Sequence, residues 1–143
     1  MKHYGLMARV TELCASNYDE ETFKHCLRVA DYASENVCLK YDESREIAFV
    51  IGMCHDLLED TDVSIQDICE ASGYSDVFLK NVLGALTREK GETYMEYIKR
   101  LKANASIFPY VVKLADIKDH LSQTETLTDS LKERYWKALV YLL

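Results

Sequence analysis

A chain of 143 residues with 48% hydrophobic and 29% charged residues has the size and composition of one globular domain with a single core. Its formal net charge of −7 leaves no basic stripe, which argues against a nucleic-acid backbone as partner; an anionic small molecule would need a local cation or a metal to hold it. Five glycines and one proline in so long a chain favour an all-α fold, and without a long apolar run we expect neither a membrane span nor a signal peptide.

Taken in order, Tyr4 to Ser16 has helical periodicity, with Leu6, Val10, Leu13 and Cys14 on one face, and Asn17-Tyr18-Asp19 interrupts it. Asp19 is the expected N-cap of a second helix from about Glu20 to Val37, with Phe23, Leu27, Ala30 and Val37 on its buried side and His25 beside that stripe. Asp42 or Ser44 should cap a third helix, apolar almost all round, that delivers His55 and Asp56 near its end. On a continuing helical turn, Glu59 and Asp60 would return toward the face of Asp56.

Ser64 opens a short helix through about Ala71, closed by Gly73. Ser75 caps the next, with Val77, Phe78, Val82, Leu83 and Leu86 inward, and the polar run Arg88 to Glu92 reads as a loop. Thr93 caps a helix with Met95, Ile98 and Leu101 inward, and Pro109 suits the first turn of another. Asp116 lies within the apolar side of that helix, among Val111, Val112, Leu114, Ala115 and Ile117. A carboxylate there requires a cation, a helix N-terminus or a metal. A helix from about Asp129 to Leu142 closes a single domain spanning residues 1–143, with no internal repeat or linker. The five cysteines are odd in number and show no Cys-x-x-Cys spacing, so they read as reduced packing residues of a cytoplasmic protein.

His25, the pair His55-Asp56, and Asp116 come from three different helices and make one constellation. Neutral imidazoles with carboxylates suit a divalent ion such as Mn²⁺, Fe²⁺, Zn²⁺ or Co²⁺. Four protein ligands on an ion with room for six leave positions for water and substrate, and a bound cation makes its water more acidic. Glu59 and Asp60 then stand where they can orient or deprotonate that water.

The order His25, His55-Asp56, Asp116 resembles the HD-domain superfamily of metal-dependent phosphohydrolases. The longer string His55-Asp56-Leu57-Leu58-Glu59-Asp60-Thr61 is similar to the hydrolase domain of RelA/SpoT-type enzymes, with further matches at Lys24-His25, Arg28-Val29-Ala30, Leu86-Thr87 and Val112-Lys113-Leu114-Ala115-Asp116. The likeness spans about residues 20 to 140, and from it we expect the small stand-alone form of that family, without a synthetase domain. It implies an all-α, single-domain HD-type bundle of about seven to eight helices. It implies one divalent ion, Mn²⁺ before Fe²⁺, Zn²⁺, Co²⁺ or Mg²⁺, held by His25, His55, Asp56 and Asp116. It also implies removal of the 3′-pyrophosphate from the alarmones ppGpp and pppGpp, the stringent-response nucleotides, with Glu59 and Asp60 handling the water. Lys113 and Tyr135 would lie near the nucleotide or its phosphates; Lys24 and Arg88 join them on charge and position.

The chain departs from the family pattern in three places. Cys26 follows the first histidine where a proline is usual. Ser16 to Glu21 is acidic where an Arg-Lys pair binds substrate phosphates. His120 replaces an Asn four residues after Asp116, as a hydrogen-bond donor or a titratable group near phosphate. Two other readings therefore stand beside alarmone hydrolysis: a phosphohydrolase of a different nucleotide, such as a nucleoside monophosphate, and a non-catalytic nucleotide-sensing module.

Overall fold

The computed structural model describes residues 2–143, and among them every regular element is helical. The elements are α1 (Lys2–Asn17), α2 (Glu20–Ser34), α3 (Asp42–Cys54), α4 (Leu57–Asp60), α5 (Ile65–Ser72), α6 (Asp76–Leu86), α7 (Tyr94–Lys102), α8 (Ile107–Ser122) and α9 (Asp129–Leu142). Setting aside the single turn α4, this is the all-α single-domain bundle, at the upper end of the expected helix count. No helix among the described residues is long and apolar enough to cross a membrane.

Short side-chain caps set most of the helix starts. Asp19, Ser64, Ser75, Thr93 and Thr128 each accept a backbone N–H from the first turn of the helix that follows, and Ser64 with Asp67 and Thr93 with Glu96 form reciprocal capping boxes. Gly73 ends α5 at φ 76°, a left-handed conformation that only glycine adopts without strain.

Several boundaries differ from the periodicity. α2 stops at Ser34, and Val37 is 92% exposed in the turn beyond it. Leu27 and Val77 also face solvent. Tyr41, rather than Asp42 or Ser44, is the residue before α3. It makes no side-chain cap, so Asp42 and Glu43 act in the first turn through their charge. α3 also does not run on through Glu59. It ends at Cys54, and the chain restarts as the turn α4, closed by Asp60 N–H to Asp56 O at 2.9 Å and Thr61 N–H to Leu57 O at 3.1 Å.

α2, α3 and α8 form the centre. α3 packs on α2, α1, α8 and α6, while α8 meets α2, α3, α6, α7 and α9. The residues buried along α3 include Ala48, Val50, Ile51, Met53 and Cys54, and those along α8 include Val111, Val112, Leu114, Ala115 and Ile117. The C-terminal end of α3 is anchored from α1's side: Tyr18 Oη donates to Met53 O at 2.8 Å, which satisfies a carbonyl that the ending helix leaves open. Gly52 sets the α2–α3 distance, since a Cβ there would stand 2.7 Å from Ala30 Cα.

Gly52→Ala should therefore destabilise the protein by about 1–3 kcal/mol through overpacking. Gly84 in α6 has nothing within 4 Å of an added Cβ. Gly84→Ala should stabilise by about 0.5–1 kcal/mol through helix propensity. Urea denaturation of the two variants beside the parent protein checks both signs.

Candidate metal centre

The close α2–α3 approach brings the rings of His25 and His55 to 5.5 Å between centroids. His55 leaves α3 at its last turn, where its Nδ1–H donates to Gly52 O at 2.6 Å. A carbonyl only accepts, so this bond puts the proton on Nδ1 and turns Nε2 toward α8. On α2, His25 Nδ1 lies 2.6 Å from Asp119 Oδ2. Arg28 grips the same carboxylate with Nε at 2.6 Å from Oδ1 and Nη2 at 3.1 Å from Oδ2. Burial would raise the Asp119 carboxyl, but Arg28 and His25 outweigh it and lower it. Asp119 is thus an ionised acceptor, and His25 also carries its proton on Nδ1.

Both Nε2 atoms then meet carboxylate oxygens. His25 Nε2 lies 2.9 Å from Asp116 Oδ1 and 3.8 Å from Asp56 Oδ2. His55 Nε2 lies 3.3 Å from each of these oxygens. With neutral imidazoles, lone pairs would face lone pairs. The arrangement closes only with both rings protonated or with a cation among the four groups. Ligand atoms at about 2.0–2.2 Å from one ion stand roughly 3.0–3.6 Å apart, close to these separations. The donor set of two Nε2 atoms and two carboxylates therefore fits a divalent transition ion, and His25, His55 and Asp56 form one of two triads with suitable spacing.

The electrostatics follow the same geometry. Burial alone would push His55 down, but the Asp56 charge and the Asp116 contact raise it well above its ordinary range. His25 is raised in the same way, with Asp116 and Asp119 outweighing its burial. Burial would also lift the Asp116 carboxyl, yet the Lys113 ammonium and three imidazoles hold it well below the usual carboxylate range.

The other expected site residues separate into groups. Lys113 is buried and places Nζ 2.7 Å from Asp116 Oδ2, over the rings of Tyr94 and Tyr97, so its charge goes to the carboxylate. His120 and Tyr135 stack on each other, with centroids 4.8 Å apart and planes 2° from parallel, and His120 Nε2 reaches Asp116 Oδ1 at 3.3 Å. Asp60 is exposed at the edge of the cluster, and partial desolvation first, then the charges of Asp56 and Glu59, raise its carboxyl. Glu59 is exposed and accepts the Arg88 backbone N–H at 3.1 Å. The Arg88 side chain donates to Glu92 O at 2.8 Å. Lys24 is half exposed and pairs with Glu20 at 3.0 Å and Glu21 at 3.8 Å, on the outer side of α2.

Two residues of this region have no strong sequence signal. Asp119 follows Asp116 by three positions on one helix face; its burial at 1% exposure, against His25 and Arg28, is the feature that sets it apart. Arg134 lies 4.9 Å over the Tyr94 ring and makes no ion pair among the described residues. No family model matches this chain, and no curated protein matches it.

Because Asp119 sets the tautomer of His25, Asp119→Asn should weaken Mn²⁺ or Zn²⁺ affinity by about 10–100-fold, measured by calorimetric titration of the folded variant. pH gives a second check. The histidines are raised above their ordinary 6.5. In metal-free protein their stabilising contribution is therefore complete below 6.5 and is lost as pH rises through the higher folded values. The melting temperature of metal-free protein should fall as pH climbs above neutrality, while metal affinity rises over the same interval as the imidazoles release protons.

Proposed function

We propose that this protein is an HD-type metal-dependent phosphohydrolase of the cytoplasm, acting on a phosphorylated nucleotide, with ppGpp or pppGpp as substrate and GDP or GTP plus pyrophosphate as products. The observation that carries the reading is the meeting of His25, His55, Asp56 and Asp116, with each histidine tautomer set so that Nε2 is free to bind an ion. The Glu59-Asp60 pair beside that centre supports pyrophosphate removal.

A divalent ion held by His25, His55, Asp56 and Asp116 would supply Lewis acidity that acidifies water and offsets charge on phosphoryl oxygens. The protein supplies the proton handling. Asp60, made more basic by partial desolvation and by the charges of Asp56 and Glu59, takes the proton of the attacking water. Glu59, held at the lip by the Arg88 backbone N–H, orients that water. The new P–O bond forms at the 3′-linked phosphorus. The bond to the ribose oxygen breaks, that oxygen takes up the proton Asp60 received and leaves as a hydroxyl, and pyrophosphate is released.

A second reading, a phosphohydrolase of a less highly charged nucleotide, is favoured by one observation. The cations expected at the phosphates are engaged elsewhere: Lys24 with Glu20 and Glu21, and Lys113 with Asp116. A non-catalytic sensing module would keep the metal and lack turnover.

Mn²⁺-loaded protein should convert ppGpp to GDP and pyrophosphate. Turnover of nucleoside monophosphates with ppGpp untouched would transfer the assignment to the second reading, and no turnover across a nucleotide panel would favour the sensing module. Glu59→Gln and Asp60→Asn should each lower kcat by about 10²–10⁴-fold with bound metal unchanged. Metal analysis and steady-state kinetics on the same preparations check this.

A further inference from the structure

His120 is the residue in this region whose placement exceeds the role of a phosphate contact. Its Nε2 stands 3.3 Å from Asp116 Oδ1, the oxygen already approached by His25 Nε2 at 2.9 Å and His55 Nε2 at 3.3 Å. Oδ2 of the same carboxylate is taken by Lys113 at 2.7 Å. A carboxylate oxygen offers two lone-pair sites, so three imidazoles around one oxygen exceed what hydrogen bonding can satisfy. Three nitrogens that share a cation with that oxygen have no such conflict.

The His120 ring is also held in that direction. It lies flat on Tyr135 of α9, 2° from parallel, and meets the His25 ring at 4.7 Å between centroids. The i,i+4 spacing on α8 puts it on the same face as Asp116. The ligand atoms of His25, Asp116 and His120 all lie within 4.8 Å of one another, a second triad sharing His25 with the first.

We infer that His120 is a metal ligand, acting with His25 and Asp116 as the second triad. The inference rests on the metal-site reading above and adds to it. The extra nitrogen shifts preference away from Mg²⁺ and Mn²⁺ toward Fe²⁺, Co²⁺ or Zn²⁺.

Co²⁺ is the direct probe, because its visible absorption reports coordination number and donor type independently of turnover. Metal-free wild type and His120→Asn are titrated with Co²⁺ and, separately, with Mn²⁺. Circular dichroism and metal-free unfolding midpoints verify that both are folded. A second variant, His120→Gln, guards against a loss peculiar to Asn. The expected result is a changed Co²⁺ spectrum in both variants and a loss of Co²⁺ affinity at least as large as the roughly 10–100-fold cost of losing an outer-shell partner. Mn²⁺ affinity should fall less. Unchanged spectra and affinities in the variants would overturn the role of His120 and leave the metal centre standing. Failure of wild type to bind either ion would overturn both.

Discussion

The carboxylate of Asp116 is 3% exposed and stays ionised because charge surrounds it: Lys113 at 2.7 Å on one oxygen, and imidazoles of α2, α3 and α8 on the other. Stripping one such charge of its partners inside a protein costs several kcal/mol, about 3–5 kcal/mol for a broken buried pair. The three central helices are thereby committed to each other by charge as well as by apolar packing. The same concentration of nitrogen and oxygen donors that would be wasteful in a core is what a divalent ion requires.

That centre stands on rigid elements. Asp116, Asp119 and His120 are carried by one helix, His25 and Arg28 by a second, and His55 by the last turn of a third whose distance Gly52 sets. Outer partners orient each inner group: Asp119 and Arg28 for His25, the Gly52 carbonyl for His55, Tyr135 for His120. Such partners fix tautomer and ring direction before any ion arrives, which lowers the reorganisation needed to bind one. The break after Cys54 belongs to the same design. Had α3 continued, Glu59 and Asp60 would have followed its axis; the separate turn α4 instead sets them on their own element beside the centre.

The holding part and the recognition part of the site differ in character. The groups that could hold an ion are mutually paired and lie partly or fully out of solvent, whereas the cations free to meet a phosphorylated ligand are few, and most serve the protein itself. Lys24 meets the acidic first turn of its own helix, Lys113 supports Asp116, and Arg28 clamps Asp119. Arg134, stacked over Tyr94 on the α9 side, and Arg88, whose side chain donates to the Glu92 carbonyl, are exposed cations near the site with no carboxylate ion pair among the described residues.

Much of the helix layout was legible because local chemistry governs it. Ser64, Ser75 and Thr93 cap helices in the first turn, Gly73 closes one, and low glycine and proline content favours helix throughout. The boundaries that misled, at Val37 and after Cys54, are places where an apolar residue is left outside the core or where tertiary packing ends a helix that periodicity would extend. For the site, residue type and spacing singled out His25, His55, Asp56 and Asp116, since a histidine and carboxylates beside apolar stripes need an explanation wherever they fold. Which charges those groups meet was not in the sequence. That Lys113 turns inward while Lys24 turns outward, that Asp119 is buried against Arg28, and that His120 faces Asp116 from beneath Tyr135 depend on how α2, α8 and α9 are rotated against each other. Only long-range packing decides that rotation, because burial and pairing energies act between residues some 90 positions apart, such as His25 and Asp119.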